Sequence, residues 1–205
     1  MGEMKRKRGP ATRFLEGGDG AGVGPIVRAM LDFQQLKTLY RQGWLRTKVP
    51  QDQCESVAEH SLGLVFLALL VADGIRKDLD RAKLLEMALL HDFGEIYAGD
   101  LVPGAVSLEE KHRLEKAAVE KVFGGLPNGA RYLALWEEFE AQETAEARVL
   151  KALDRLEMGV QAVVYEREGW GPLEDFMAST HKAVAAAGDA RLDALVGELE
   201  CLRKP

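Results

Sequence analysis

The sequence predicts an all-α fold, a single compact helical domain, on three observations. From Pro25 onward apolar residues recur at spacings of three and four, the period of helices with one buried face. Two S-x-x-E capping boxes, Ser56-Val57-Ala58-Glu59 and Ser107-Leu108-Glu109-Glu110, mark helix starts, because hydroxyl and carboxylate reciprocally satisfy orphan backbone amides. No segment alternates apolar and polar residues over strand length, and no tandem repeat is present.

Taken in order, residues 1–24 hold seven of the 21 glycines and the basic run Lys5-Arg6-Lys7-Arg8, and they read as a flexible tail preceding a domain over 25–205. Ile26, Met30, Phe33, Leu36 and Tyr40 trace one face of a helix over about 26–41. The first capping box opens a helix to about Lys77, and Asp80 caps a third that ends near His91. The second box opens a helix to Phe123, stopped by Gly124-Gly125 and Pro127. Further helices are expected at about 130–141, 144–167, 173–187 and 189–202.

Composition bounds the function. With 205 residues, 47% hydrophobic and 29% charged, the chain is long enough for a substantial core and unlike disordered, collagen-like or disulfide-scaffold proteins. Its two cysteines, Cys54 and Cys201, can build neither a disulfide framework nor a cysteine-rich zinc site, and they suit a reducing, cytoplasmic setting. The longest apolar run, Leu62 to Ala72, is about eleven residues and falls short of the roughly twenty that cross a bilayer, so no membrane span is expected. The net charge of −6 conceals an asymmetry: residues 1–13 carry five basic groups against one acid, which leaves the body near −10. An acidic body does not attract a long polyanion, so a small-molecule partner is expected rather than long nucleic acid.

Four polar residues interrupt otherwise apolar helix faces. His60 precedes Leu64 and Leu67 at i+4 and i+7; His91 closes a stripe of Leu84, Met87 and Ala88; Asp154 is bracketed by Leu150 and Met158, beside the core positions Leu153, Leu156 and Val160. Asp92 adjoins His91, and neighbours diverge by about 100° on a regular helix, so both can face one point only where the helix is ending, which Gly94 supplies. Singly, each residue is accounted for by a satisfied core histidine or an ion pair, such as Asp154 with Lys151 or Arg155. Together, one shared cation satisfies all four, and this N₂O₂ set suits Mn, Fe, Co, Ni or Zn better than Mg or Ca. Spacing alone leaves both readings open. Glu95 and Asp100 follow in the same segment, where they are either solvated loop acids or a pair that orients a water and protonates a leaving oxygen.

The pattern His60, then His91-Asp92, then Asp154 resembles the HD-domain metal-dependent phosphohydrolases. Glu55-Ser56-Val57-Ala58-Glu59-His60-Ser61, His91-Asp92-Phe93-Gly94-Glu95 through Gly99-Asp100, and Leu153-Asp154-Arg155-Leu156-Glu157 resemble the branch containing the bacterial 5′-deoxynucleotidase and eukaryotic HD domain-containing protein 2, over about residues 29–170. The resemblance implies an HD-domain helical bundle, metal ligands at His60, His91, Asp92 and Asp154, and catalytic acids at Glu95 and Asp100. It further implies hydrolysis of (deoxy)nucleoside 5′-monophosphates to nucleoside and phosphate, one divalent transition metal ion per chain, and a homodimer. His112 and His181, the remaining histidines, are poorly placed for a second metal.

Gly43-Trp44-Leu45-Arg46 corresponds to a substrate-facing stretch in the family, with Trp44 either against the sugar or base or serving as a core or dimer-contact aromatic. The bacterial enzyme has arginine where this chain has Gly43, so phosphate recognition passes to Arg41, Arg46 or Lys111, although Lys111 and Glu115 also make an ordinary i,i+4 pair. Two other readings remain: a nucleotide phosphodiesterase or pyrophosphohydrolase, and a catalytically silent, metal-stabilised helical binding protein.

Overall fold

A computed structural model describes residues 22–203; the expected tail over 1–24 lies, apart from its last three residues, outside the described residues. Among the described residues the fold is all-α, with nine α-helices: α1 Pro25–Thr38, α2 Val57–Gly74, α3 Arg81–Leu90, α4 Glu95–Ala98, α5 Leu108–Phe123, α6 Gly129–Ala141, α7 Ala145–Arg167, α8 Glu174–Ala187 and α9 Ala190–Arg203. The 23-residue α7 is the spine, packed against α2, α3, α6, α8 and α9. Fully buried Leu36, Leu64, Leu84, Met87, Leu150 and Leu153 anchor a core that draws on α1, α2, α3 and α7.

Helix starts follow the sequence signals closely. Ser56 forms the complete capping box with Glu59, and Asp80 and Ser107 accept from the N3 amides of α3 and α5. Two apolar faces differ from expectation. Ile26 and Met30 are exposed, because burial on α1 is confined to its second half, from Asp32 to Thr38. Val160 is 43% exposed, on the outer side of α7.

The first helix also ends earlier than its periodicity suggests. Leu39 turns extended after Thr38, and Tyr40 makes an isolated antiparallel bridge with Ser56. The amide of Arg41 donates to the carbonyl of Glu55, and that of Val57 to the carbonyl of Leu39. This closure pins the segment containing the 3-10 turn Trp44–Arg46 against the start of α2. Trp44 is 1% exposed, stacked on Phe176 with ring centroids 4.1 Å apart and edge-on to Tyr165. It is a core aromatic with no face free for a sugar or base, so the substrate-stacking role expected of it is not one this packing permits.

By length and composition α2 could cross a membrane. In the fold one face carries fully buried His60, Leu64 and Ala68 and packs against α1, α3 and α7, while Leu62, Phe66 and Leu70 on the other are exposed.

The helix α3 ends at Leu90 with His91 as its cap, and the chain tightens into i→i+3 bonds: Phe93 to Leu90, Glu95 to Asp92 and Ile96 to Phe93. Gly94, expected to end the helix, lies beyond that end as the right-handed residue that opens α4, with φ −57°. Glycine is needed there because α5 passes close by: a Cβ at Gly94 would lie 2.6 Å from the Cβ and 3.1 Å from the Cα of Glu115. Gly94→Ala should therefore destabilise the protein by about 1–3 kcal/mol through overpacking, since backbone must move. A denaturation midpoint equal to that of the wild type would show that the α4–α5 contact is looser than this.

Candidate functional site

Three core segments converge: the first turn of α2 brings His60, the end of α3 brings His91 and Asp92, and the middle of α7 brings Asp154. The Nε2 of His91 lies 3.0 Å from Asp92 Oδ2, and His60 Nε2 lies 3.7 Å from the same oxygen and 3.2 Å from Asp154 Oδ1. One ligand atom each from His60, His91 and Asp92 can be chosen with all three within 4.8 Å of one another. The premature end of α3 is what allows adjacent His91 and Asp92 to face the same point.

The donor set fits a cation. His60 Nε2, His91 Nε2, Asp92 Oδ2 and Glu95 Oε2 are buried and make no hydrogen bond, a costly arrangement for four polar atoms unless something else satisfies them. On the far side of each ring the proton is accounted for: His91 Nδ1 meets the Ala88 carbonyl at 2.8 Å, and His60 Nδ1 meets Glu157 Oε2 at 2.5 Å. Two imidazole nitrogens and carboxylate oxygens are the chemistry of a transition-metal site.

Electrostatics agree. Burial and Arg41 oppose a positive charge on His60, yet Asp154 and Glu157 outweigh them and raise its imidazole to about 10. Asp92 is held well below the usual carboxylate range although burial acts upward, because His91, Arg41 and His60 surround it. Burial likewise pushes Asp154 up, and Arg155, Lys151 and His60 more than offset it. Lys151 and Arg155 do approach Asp154 Oδ2, at 3.5 and 3.8 Å, so the ion pairs considered from sequence coexist with the cluster. The cage favours positive charge at its centre.

Glu95 and Asp100 are brought to the same place. They bracket the single turn of α4, and Gly99, with φ +80°, turns the chain in a conformation that side chains resist. Glu95 is buried and its carboxyl is pushed well above the usual range, by desolvation and then by Asp92 and Asp100. Asp100 Oδ2 accepts from the Gln42 amide at 2.5 Å.

Of the basic residues proposed for phosphate, Arg41 enters the cluster. Its Nη1 lies 3.8 Å from Asp92, 3.9 Å from Glu95 and 3.8 Å from Asp100. Arg46 is exposed at the end of its 3-10 turn. Lys111 pairs with buried Glu115 at 2.5 Å, beside Gly94, and Glu95 also acts on its charge. Nor do the spare histidines join: His112 stacks on Trp136, and exposed His181 pairs with Glu200. Cys54 is buried, its thiol against the carbonyls of Arg41 and Glu55.

Sequence reasoning missed two acids. Glu157 backs His60, and Glu55 accepts from the indole of Trp44 at 2.7 Å. The available signal for Glu157 was its i+3 spacing from Asp154, which puts both on one side of α7. A cavity of about 790 Å³ lined by Glu55, Glu59, Phe66, Glu157 and Tyr165 among others lies behind His60; none of Arg41, Asp92, Glu95 or Asp100 lines it.

Known proteins resemble this chain in sequence and in fold. The chain is 40% identical to the 5′-deoxynucleotidase HDDC2 of Xenopus laevis over 71% of its own length and 73% of that protein, and 35% identical to the Homo sapiens protein of the same name over 86% and 87%. A solved conserved hypothetical protein from Pyrococcus furiosus superposes with a TM-score of 0.74 at 31% identity, covering 85% of this chain and 98% of that one. A Magnetospirillum magnetotacticum structure, named a predicted metal-dependent phosphohydrolase, superposes with a TM-score of 0.63 at 29% identity, covering 87% and 95%. The family profile described as HD domain matches residues 33–192, from the middle of α1 into α9, and with its His60, His91 and Asp92 gathered at one point and Asp154 against His60 the chain belongs to the HD domain family.

Proposed function

We propose that this protein is a metal-dependent phosphomonoesterase that hydrolyses (deoxy)nucleoside 5′-monophosphates to nucleoside and phosphate. The observation that carries this reading is a set of four buried polar atoms without a hydrogen bond, on His60, His91, Asp92 and Glu95, with the Arg41 guanidinium within 4 Å of the two carboxylates. The relatives named 5′-deoxynucleotidase support the choice of substrate.

His60, His91, Asp92 and Asp154 would hold one divalent transition ion, of the series Mn, Co, Fe, Ni and Zn. Such an ion, when bound, polarises a phosphate oxygen and acidifies water. The protein's own groups do the rest. Arg41 neutralises the substrate phosphate, with a charge that the neighbouring carboxylates hold in place. Glu95, its Oε2 without a partner, orients the attacking water and accepts its proton; Asp100 delivers a proton to the departing 5′-oxygen. With the body near −10, a single phosphate ester is the substrate these few cations can accommodate.

The reading includes a homodimer. Leu62 and Phe66, 71% and 60% exposed, continue to exposed Leu70 along α2, and exposed Val160 and Val164 lie on α7, which packs against α2. A second copy covering this face would bury it. Phe66→Glu should reduce the mass measured by sedimentation from two chains to one, and a single-chain mass for the unaltered protein would refute the dimer.

Protein stripped by chelator should regain release of inorganic phosphate from deoxynucleoside monophosphates on restoration of at least one of Mn, Co, Ni or Zn. Failure with every metal and every monophosphate would sink the reading, and release of pyrophosphate from triphosphates in its place would make the protein a pyrophosphohydrolase. Glu95→Ala should keep its metal by elemental analysis and lose about 10²–10⁴-fold in kcat, whereas Asp92→Ala should lose both. A fully active Glu95→Ala removes its assigned role.

Losing a hydrogen bond to a charged group is worth about 1.5–3 kcal/mol, so Arg41→Gln should raise KM for a monophosphate roughly 10–100-fold. Arg46→Gln serves as the control and should leave KM unchanged; equal effects from the two variants would take phosphate binding away from Arg41.

A further inference from the structure

The two imidazoles of the cluster are held from behind by unlike groups. His91 Nδ1 faces the Ala88 carbonyl, a neutral acceptor three residues back in its own helix. His60 Nδ1 instead meets a full carboxylate, Glu157 Oε2, from the neighbouring helix. A histidine that ligates a metal through one nitrogen commonly donates the other N–H to such a partner, which selects the tautomer, fixes the ring plane and raises ligand basicity. Asp154 and Glu157 stand three residues apart on α7, so a single helix face supplies an acid to each nitrogen of the His60 ring: Asp154 Oδ1 at 3.2 Å from Nε2 and Glu157 Oε2 at 2.5 Å from Nδ1.

The space occupied by Glu157 depends on a glycine. Gly63 is one turn along α2 from His60, in the interior of an 18-residue helix, where glycine costs about 0.5–1 kcal/mol relative to alanine. A Cβ built at Gly63 would lie 2.4 Å from Glu157 Oε1, 3.1 Å from its Cδ and 3.3 Å from its Cγ. Glu157 is the side chain that approaches Gly63 this closely. An added methyl would thus be relieved by swinging the end of a flexible side chain away, and that end is the carboxylate on His60.

We propose that Glu157 is a positioning residue for the metal ion, keeping the proton on His60 Nδ1 so that the Nε2 lone pair faces the cluster, and that Gly63 is the gap that admits its carboxylate. The proposal rests on the reading of His60 as a metal ligand and extends the site to two residues that do not touch the ion.

The test is titration of the chelator-stripped full chain with Co(II), followed by the visible absorption of the bound ion and by competition with a chromophoric chelator. Glu157→Ala should weaken Co(II) binding about 10–100-fold. Glu157→Gln, whose amide oxygen still accepts from Nδ1–H, should lose less than Glu157→Ala. Gly63→Ala should hold or raise the thermal midpoint, because alanine is the better helix former, and yet weaken Co(II) binding. Combined with Glu157→Ala, it should add no further loss, since the group it displaces is gone. Wild-type affinity in Glu157→Ala, or in Gly63→Ala, overturns the proposal. Unaltered protein that takes up no Co(II) overturns the reading of His60 as a ligand, and the proposal with it, a result distinct from wild-type binding with unchanged variants.

Discussion

Mutual repulsion among buried carboxylates is the constraint around which this molecule is organised. Asp92, Glu95, Asp100, Asp154, Glu157 and Glu55 come together around His60 and Arg41, in a region where a lone ionised acid would be expelled or neutralised. Arg41 lies within 4 Å of three of them and His60 within 4 Å of three, so two side chains hold the cluster together at its centre. The backbone makes the same commitment. The Tyr40–Ser56 bridge exists to deliver Arg41, the core stacking of Trp44 anchors the loop behind it, and the break after Leu90 delivers His91 and Asp92 side by side. Each local departure from regular helix thus serves the cluster.

Such a cage is selective for charge before it is selective for chemistry. Asp92, which would help hold a divalent ion, also pairs with Arg41, so the cluster combines fixed positive charge with a strong preference for more of it. In the function proposed above, the charge of a phosphate monoester takes the place of the carboxylates as the partner of Arg41. Glu95 is poised between these roles, near enough to Arg41 to be partly compensated and too buried to be fully so.

The helices were legible because their signals are local. Ser56, Asp80 and Ser107 announced the starts of α2, α3 and α5, since a cap is satisfied within its own first turn. His60, His91 and Asp154 could be singled out because a polar group on an apolar stripe contradicts its surroundings. What escaped depends on contacts distant in sequence. Periodicity cannot say that α1 loses its packing partners over its first turns, that Val160 faces outward, or that Trp44 stacks on Phe176 more than a hundred residues away. The glycines were opaque for the same reason: Gly94 looks like a helix stop, and only the approach of Glu115 explains it. Glu157 belongs to an ordinary acidic helix face until α2 is laid against it.

The donors lie at positions 60, 91, 92 and 154, in the first turn of α2, just past the end of α3 and in α7, with α4, α5 and α6 between the last two. An unfolded chain therefore presents only the His91-Asp92 pair locally, and a complete site requires α2, α3 and α7 to be docked together. The site is thus a product of tertiary structure, and an ion held there would clamp helices that are packed together rather than order any one of them. For the same reason a core lesion far from the cleft, anywhere that loosens α7 from α2 or α3, is felt there as a loss of metal.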